Sequence, residues 1–219
     1  MNMTNTTSLL LAAALCLPLA AQAQAQARDA QYWSVQGGMN NVSDWPAKIN
    51  FGGPEVDGAL QIDRGAQFGV ALGKEYDNNR FEVEYQHGQF DVTGATVAAV
   101  RQAADASGKY DVLTLNAYRM FPLNDALAAY AGLGFGYGRI NLPHVGGATG
   151  CQCLNSAAKG NGVYQARLGM EYRLGESGLA FVQAGWLSLP GAGSDGAAFV
   201  SYPRRGFATL GVGYRGLFN

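Results

Sequence analysis

The chain has 219 residues, 31 of them glycine, with 48% hydrophobic and 14% charged residues and a formal net charge of -1. Glycine stands at roughly twice its average share and charge at roughly half of it. There is no basic excess to displace counterions from phosphates, which excludes a nucleic-acid binder; aromatics at 11% exclude disorder, and the length suits one well-cored domain.

The first element is a leader. Leu9 to Ala21 is rich in Leu and Ala, and Ala21-Gln22-Ala23, Ala23-Gln24-Ala25 and Ala25-Gln26-Ala27 follow it. A short apolar core with small-x-small exits reads as a secretory signal peptide, here residues 1–25 with cleavage between about 23 and 27. It is shorter than the ~20 residues a membrane-spanning helix requires. No Lys or Arg precedes Leu9, and Leu15 before Cys16 argues against a lipid anchor. Residues 28–219 form the exported domain.

That domain contains no run of 18 apolar residues, so membrane-spanning helices are excluded. It alternates with period two instead. Weak alternation covers Tyr32 to Met39. Strong runs follow at Gln67–Tyr76, Arg80–Phe90, Val112–Phe121, Tyr130–Arg139 and Tyr164–Leu174, then a weaker one at Leu179–Leu189 and a last at Ala208–Phe218. These make eight strands, and the domain is all-β.

The connections alternate in length. Asp77 to Arg80, Pro122 to Ala126 and Gly175 to Gly178 are short. Asn40 to Asp63, Val92 to Gly108, Leu142 to Asn161 and Pro190 to Pro203 are long. Short turns at one end and long loops at the other are the mark of an eight-stranded antiparallel, up-and-down transmembrane β-barrel, with periplasmic turns and extracellular loops. An Asn78-Asn79 hairpin would pair Glu75 with Glu82, Tyr76 with Phe81 and Asp77 with Arg80. Thr96 to Ala106 has the composition for one or two helical turns.

With the apolar face towards lipid, the polar face lines a narrow lumen. Its charges are Glu75, Glu82, Glu84, Arg167, Glu171, Arg173 and Arg215, which must pair or remain hydrated. They read as a fixed salt-bridge network or as a gate on a narrow ion path. Arg173 and Arg215 are placed to bridge the like charges of Glu75 and Glu82. Tyr76, Phe81, Phe121, Tyr172 and Phe218 fall where an interfacial aromatic girdle belongs.

The remaining candidates carry less chemistry. Export permits a disulfide between Cys151 and Cys153; free thiols, or a metal site with His144, are the alternatives. His87 shares a face with Tyr85, and Asp111 on the next strand can approach it. Gln89, however, stands where an acyl-transfer site would want a serine. No catalytic residue, metal site or cofactor motif is assigned. Trp45, Ile49, Phe51, Leu60, Phe199 and Tyr202 in the long loops either form an adhesive surface, pack on one another, or dip into headgroups.

Several of these segments together resemble the OmpA-like/opacity-type outer-membrane β-barrel family. They are the leader, the eight strands, the alternating glycines of Tyr130 to Tyr137, Val163 to Leu174 with its Tyr-Gln-Ala and Tyr-Arg-Leu, and the ending Gly211-Val212-Gly213-Tyr214-Arg215 with Phe218. The resemblance covers essentially the whole exported chain. It implies a Gram-negative outer-membrane location and a structural or surface role in envelope integrity, adhesion or antigenicity. The implied partners are outer-membrane lipids including lipopolysaccharide, the barrel-assembly machinery, and a host or surface ligand at the loops. Asn219 after Phe218, and Gly216 where a second aromatic is frequent, depart from the family's ending. A lipid A-modifying enzyme, a narrow gated pore and a soluble ligand-binding barrel are the other functional readings.

Overall fold

The computed structural model describes residues 29–98, 100–145, 156–194 and 199–218. Among these, β-strands are the sole regular element: β1 (Ala30–Asn41), β2 (Trp45–Asn50), β3 (Val56–Tyr76), β4 (Asn79–Val97), β5 (Val100–Pro122), β6 (Leu127–Leu142), β7 (Ala157–Arg173), β8 (Gly178–Leu189), β9 (Ala192–Ser194), β10 (Phe199–Tyr202) and β11 (Arg205–Leu217). Eight of them pair antiparallel in the order β1, β11, β8, β7, β6, β5, β4, β3, and β3 pairs back to β1. The sheet therefore closes into the up-and-down barrel that the alternation predicts, leaving no unpaired edge for lipid to meet.

The three remaining strands prolong members of the same ring. Asn40 faces Gly65 and, five residues on, Trp45 faces Leu60, so β2 carries β1 onward in unbroken register against β3. Likewise β10 continues β11 against β2, and β9 continues β8 against β10. The breaks fall at Val42–Asp44, Pro190–Gly191 and Pro203–Arg204, on three adjacent strands. Proline has no N–H for the ladder, which accounts for two of the three.

Much of the expected loop is consequently strand. Asn40 to Asp63 holds β2 and the start of β3, Val92 to Gly108 is a β4–β5 hairpin, and Pro190 to Pro203 holds β9 and β10. The helical turns expected at Thr96 to Ala106 do not form: Val97 pairs with Val100 and the chain reverses through Ala98, at φ 53°. Pairing of β-branched Val97 and Val100, with Ala104 and Ala106 packed on the core, overrides the helical preference of an Ala-rich segment.

The two faces exchange character along the same strands. In the turn-side half, Leu72, Val83, Leu115 and Leu133 point outward and are exposed, while Glu84, Gln86 and Thr114 are buried inside. Beyond that level Phe90, Tyr110 and Ile140 are buried inside, and Asp91, Lys109 and Arg139 are exposed outside. Outward positions on β5 from Leu113 to Phe121 are apolar except for Arg119, and they cover the nine or so residues a spanning strand needs. β5 itself has 23 residues. At ~3.4 Å per residue and the usual tilt, it reaches roughly 55–60 Å against an apolar band of about 25 Å. About half the barrel is thus a crown outside the membrane.

The β3–β4 turn forms one residue earlier than the sequence reading placed it. Asp77 and Asn78 occupy it at φ 45° and 60°, as a type I′ turn requires. Tyr76 then pairs with Asn79 and Glu75 with Arg80, so opposite charges replace the expected Glu75–Glu82 clash. Asn78→Ala is expected to lower stability by about 1 kcal/mol, because alanine tolerates positive φ poorly, whereas Asn78→Gly leaves it unchanged or higher. Urea unfolding in detergent micelles measures both.

Candidate functional site

Inward positions of the membrane half converge on one polar network. Glu84 accepts from Arg167 Nη1 at 2.8 Å, from Asn116 Nδ2 at 2.8 Å and from Gln36. Arg167 Nη2 donates to Gln86 Oε1 and Gln165 Oε1, both at 2.9 Å. Glu82 accepts from the Tyr32 hydroxyl at 2.7 Å and the Tyr118 hydroxyl at 2.9 Å. Nearer the turns, Glu171 Oε2 receives Arg80 Nη1 at 2.9 Å and Arg215 Nη1. The Arg80 guanidinium lies 4.4 Å and 4.5 Å from the ring centroids of Tyr118 and Tyr130, and Arg215 lies over Tyr32 at 4.8 Å. Charge-assisted bonds and cation–π contacts replace the water these groups have lost.

Room for this network comes from the glycines of β6. A Cβ at Gly134 would lie 1.8 Å from Asn116 Oδ1. Among the described residues, one space within it is a cavity of about 10 Å³ bordered by Ser34, Arg80, Glu82 and Arg215, enough for about one water.

Six of the seven residues expected in the lumen are buried there: Glu75, Glu82, Glu84, Arg167, Glu171 and Arg215. Arg173 is not among them. It is exposed at the end of β7, because inward parity persists past the rim although the lumen does not. Arg80, 1% exposed, was missed. Its parity with Glu82 and Glu84 signalled it, but the misplaced turn assigned it to the hairpin.

The crown has the opposite interior. Trp45 packs on Phe207 at 5.8 Å, Phe90 at 6.4 Å and Tyr202 at 6.4 Å between centroids, and its Nε1 donates to the Pro203 carbonyl at 2.8 Å. Ile49, Leu60, Ile140, Leu187 and Val200 belong to the same core. Of the loop aromatics and aliphatics in question, Trp45, Ile49, Leu60 and Tyr202 pack together, while Phe51 and Phe199 are exposed at the far end. Burial holds the Tyr202 hydroxyl well above the ordinary phenol range. On the rim, Lys48 Nζ reaches Asp57 Oδ1 at 2.5 Å and its pKa rises from that hydrogen bond, an exposed pair of little energetic consequence.

On the outer wall Tyr76, Phe81, Phe121, Tyr172 and Phe218 are all exposed. Higher up, His87 Nδ1 lies 2.8 Å from Asp111 Oδ1, to which the Tyr85 hydroxyl donates at 2.6 Å. The approach of Asp111 to His87 is as expected, with Tyr85 on the same oxygen and Phe68 against the imidazole at 5.7 Å. His144 is exposed. Cys151, Cys153 and the leader lie outside the described residues.

Known proteins share this architecture. The outer membrane protein OprG from Pseudomonas aeruginosa is similar at TM-score 0.59 and 17% identity, over 86% of this chain and 97% of that one. Neisserial surface protein A is similar at TM-score 0.53 and 14% identity, over 85% and 97%. AlkL, another outer membrane protein, is similar at 0.50 and 16%, over 87% and 92%. No curated protein matches by sequence. Residues 9–215 match the outer membrane protein β-barrel domain, and the chain belongs to that family.

Proposed function

We propose that the protein is a surface protein of the outer membrane that acts through its crown and contributes to envelope integrity, adhesion or antigen display. The observation that carries this reading is the filling of the interior over both halves: a hydrogen-bonded polar network below and an apolar core above. A chain so filled supports a rigid post better than a conduit. Phe51 and Phe199, about half exposed at the far end, are the contact residues for a surface ligand. The aromatic belt from Tyr76 to Phe218 serves as the interfacial girdle, in contact with outer-membrane lipids, lipopolysaccharide among them. Phe218 is the residue offered to the barrel-assembly machinery.

Three measurements test this. Folded protein in planar bilayers should give no single-channel steps; regular steps would restore the gated-pore reading. Cells displaying the protein should adhere to host surfaces, and Phe51→Ala with Phe199→Ala should remove most of that adherence without changing the amount displayed. Unchanged adherence would remove the crown tip from the account. Lipid A unchanged in mass on overexpression would weigh against a modifying enzyme at His87.

A further inference from the structure

Among the described residues, two grooves on the membrane-facing wall stand out. One, about 820 Å³, runs over Ala117, Ala131, Ala166 and Ala184 between Phe81 and Trp186. Its depth follows from pairing: Leu133 stands between Ala117 and Ala166, and Leu168 between Ala131 and Ala184, so short side chains face long ones across four strands. Left unfilled, such a surface forfeits its dispersion contacts. The other, about 810 Å³, lies between Val35, Met170, Tyr172, Ala180, Val182 and Tyr214.

Only the first has an outward cation in its lining. Arg119 sits at its turn-side end, opposite Asn79 and Ala131. Its Nη1 donates to the Asp77 carbonyl at 3.3 Å and Asn79 Oδ1 at 3.1 Å. Both of these contacts use one nitrogen of a five-donor fork suited to phosphate oxygens. Short turns mark the periplasmic side, so the cation stands at the headgroup level of the periplasmic leaflet.

We propose that this groove binds one glycerophospholipid of the periplasmic leaflet, with an acyl chain over Ala117, Ala131 and Ala166 and the phosphate on Arg119. Protein purified in a mild detergent and titrated with dioleoyl phosphatidylglycerol is read by native mass spectrometry. The wild-type chain should retain one lipid. Ala166→Phe, which fills the groove, and Arg119→Ala, which removes a charge-assisted bond, should each lower affinity about tenfold. Ala180→Phe in the second groove should leave it unchanged. Heat-modifiable gel mobility confirms that each variant is folded. Equal retention by all four proteins would overturn the site. So would a wild-type dimer that Ala166→Phe dissociates, which would make a second copy the occupant. Displacement of the phospholipid by lipopolysaccharide would assign the groove to the other leaflet and overturn it as well.

Discussion

Glu171→Ala is expected to destabilise the barrel by about 3–5 kcal/mol, the cost of leaving buried charges without their partner. Both Arg80 and Arg215 place Nη1 on the same Glu171 oxygen, and all three side chains are at most 6% exposed. Arg80 retains Tyr118 and Tyr130 beneath its plane and Arg215 retains Tyr32, but rings only partly replace a carboxylate. Substituting methionine for Arg80, Glu171 and Arg215 together should recover part of the loss, because Glu171 leaves with the two cations it pairs, while Glu82 keeps only its neutral donors Tyr32, Tyr118 and Asn116. Urea midpoints in detergent micelles measure both effects. A single variant with an unchanged midpoint would mean that water already solvates the lower lumen.

Trp45→Ala is expected to be as damaging, at about 3–5 kcal/mol, but locally. Trp45 is fully buried and touches rings from β4, β10 and β11 while bonding the Pro203 carbonyl. Because β1–β2, β8–β9 and β11–β10 are each interrupted at the base of the crown, the crown can open while the ladders below stay intact. Proteases added to intact cells should cut the variant within the crown, and the protected remainder should keep its faster mobility when unboiled. Loss of that mobility together with the crown would show instead that the two halves unfold as one unit.

How much of this was legible depended on where the apolar face points. Below the crown it faces lipid, and runs such as Phe81-Val83-Tyr85 or Leu133-Phe135-Tyr137 stand out by period alone. Past Gln86 and Gly138 the apolar set moves inside without a change of period, to Phe90 and Val92 on β4 and to Ile140 and Leu142 on β6. A reading that follows the outward set stops there and takes the remainder for loop. Trp45, Ala47 and Ile49 do alternate, but the signal covers one short strand whose partner, β3, is shared with β1. The lumen charges were legible by parity, since an alternating strand fixes which side chains share a face. Parity alone sets neither the rim, where Arg173 was lost, nor the turn, where Arg80 was lost. The groove beside Arg119 could not be seen at all, because it depends on which alanines neighbour which leucines across four registers.

One set of continuous strands faces lipid below and water above. Single cysteines at outward positions, treated on intact cells with a membrane-impermeant thiol reagent and compared with the unsubstituted chain, test it directly. Asp91→Cys, Ser107→Cys and Lys48→Cys should label, and Val83→Cys, Leu115→Cys and Leu210→Cys should not. Labelling of the second group, or protection of the first, would contradict the account.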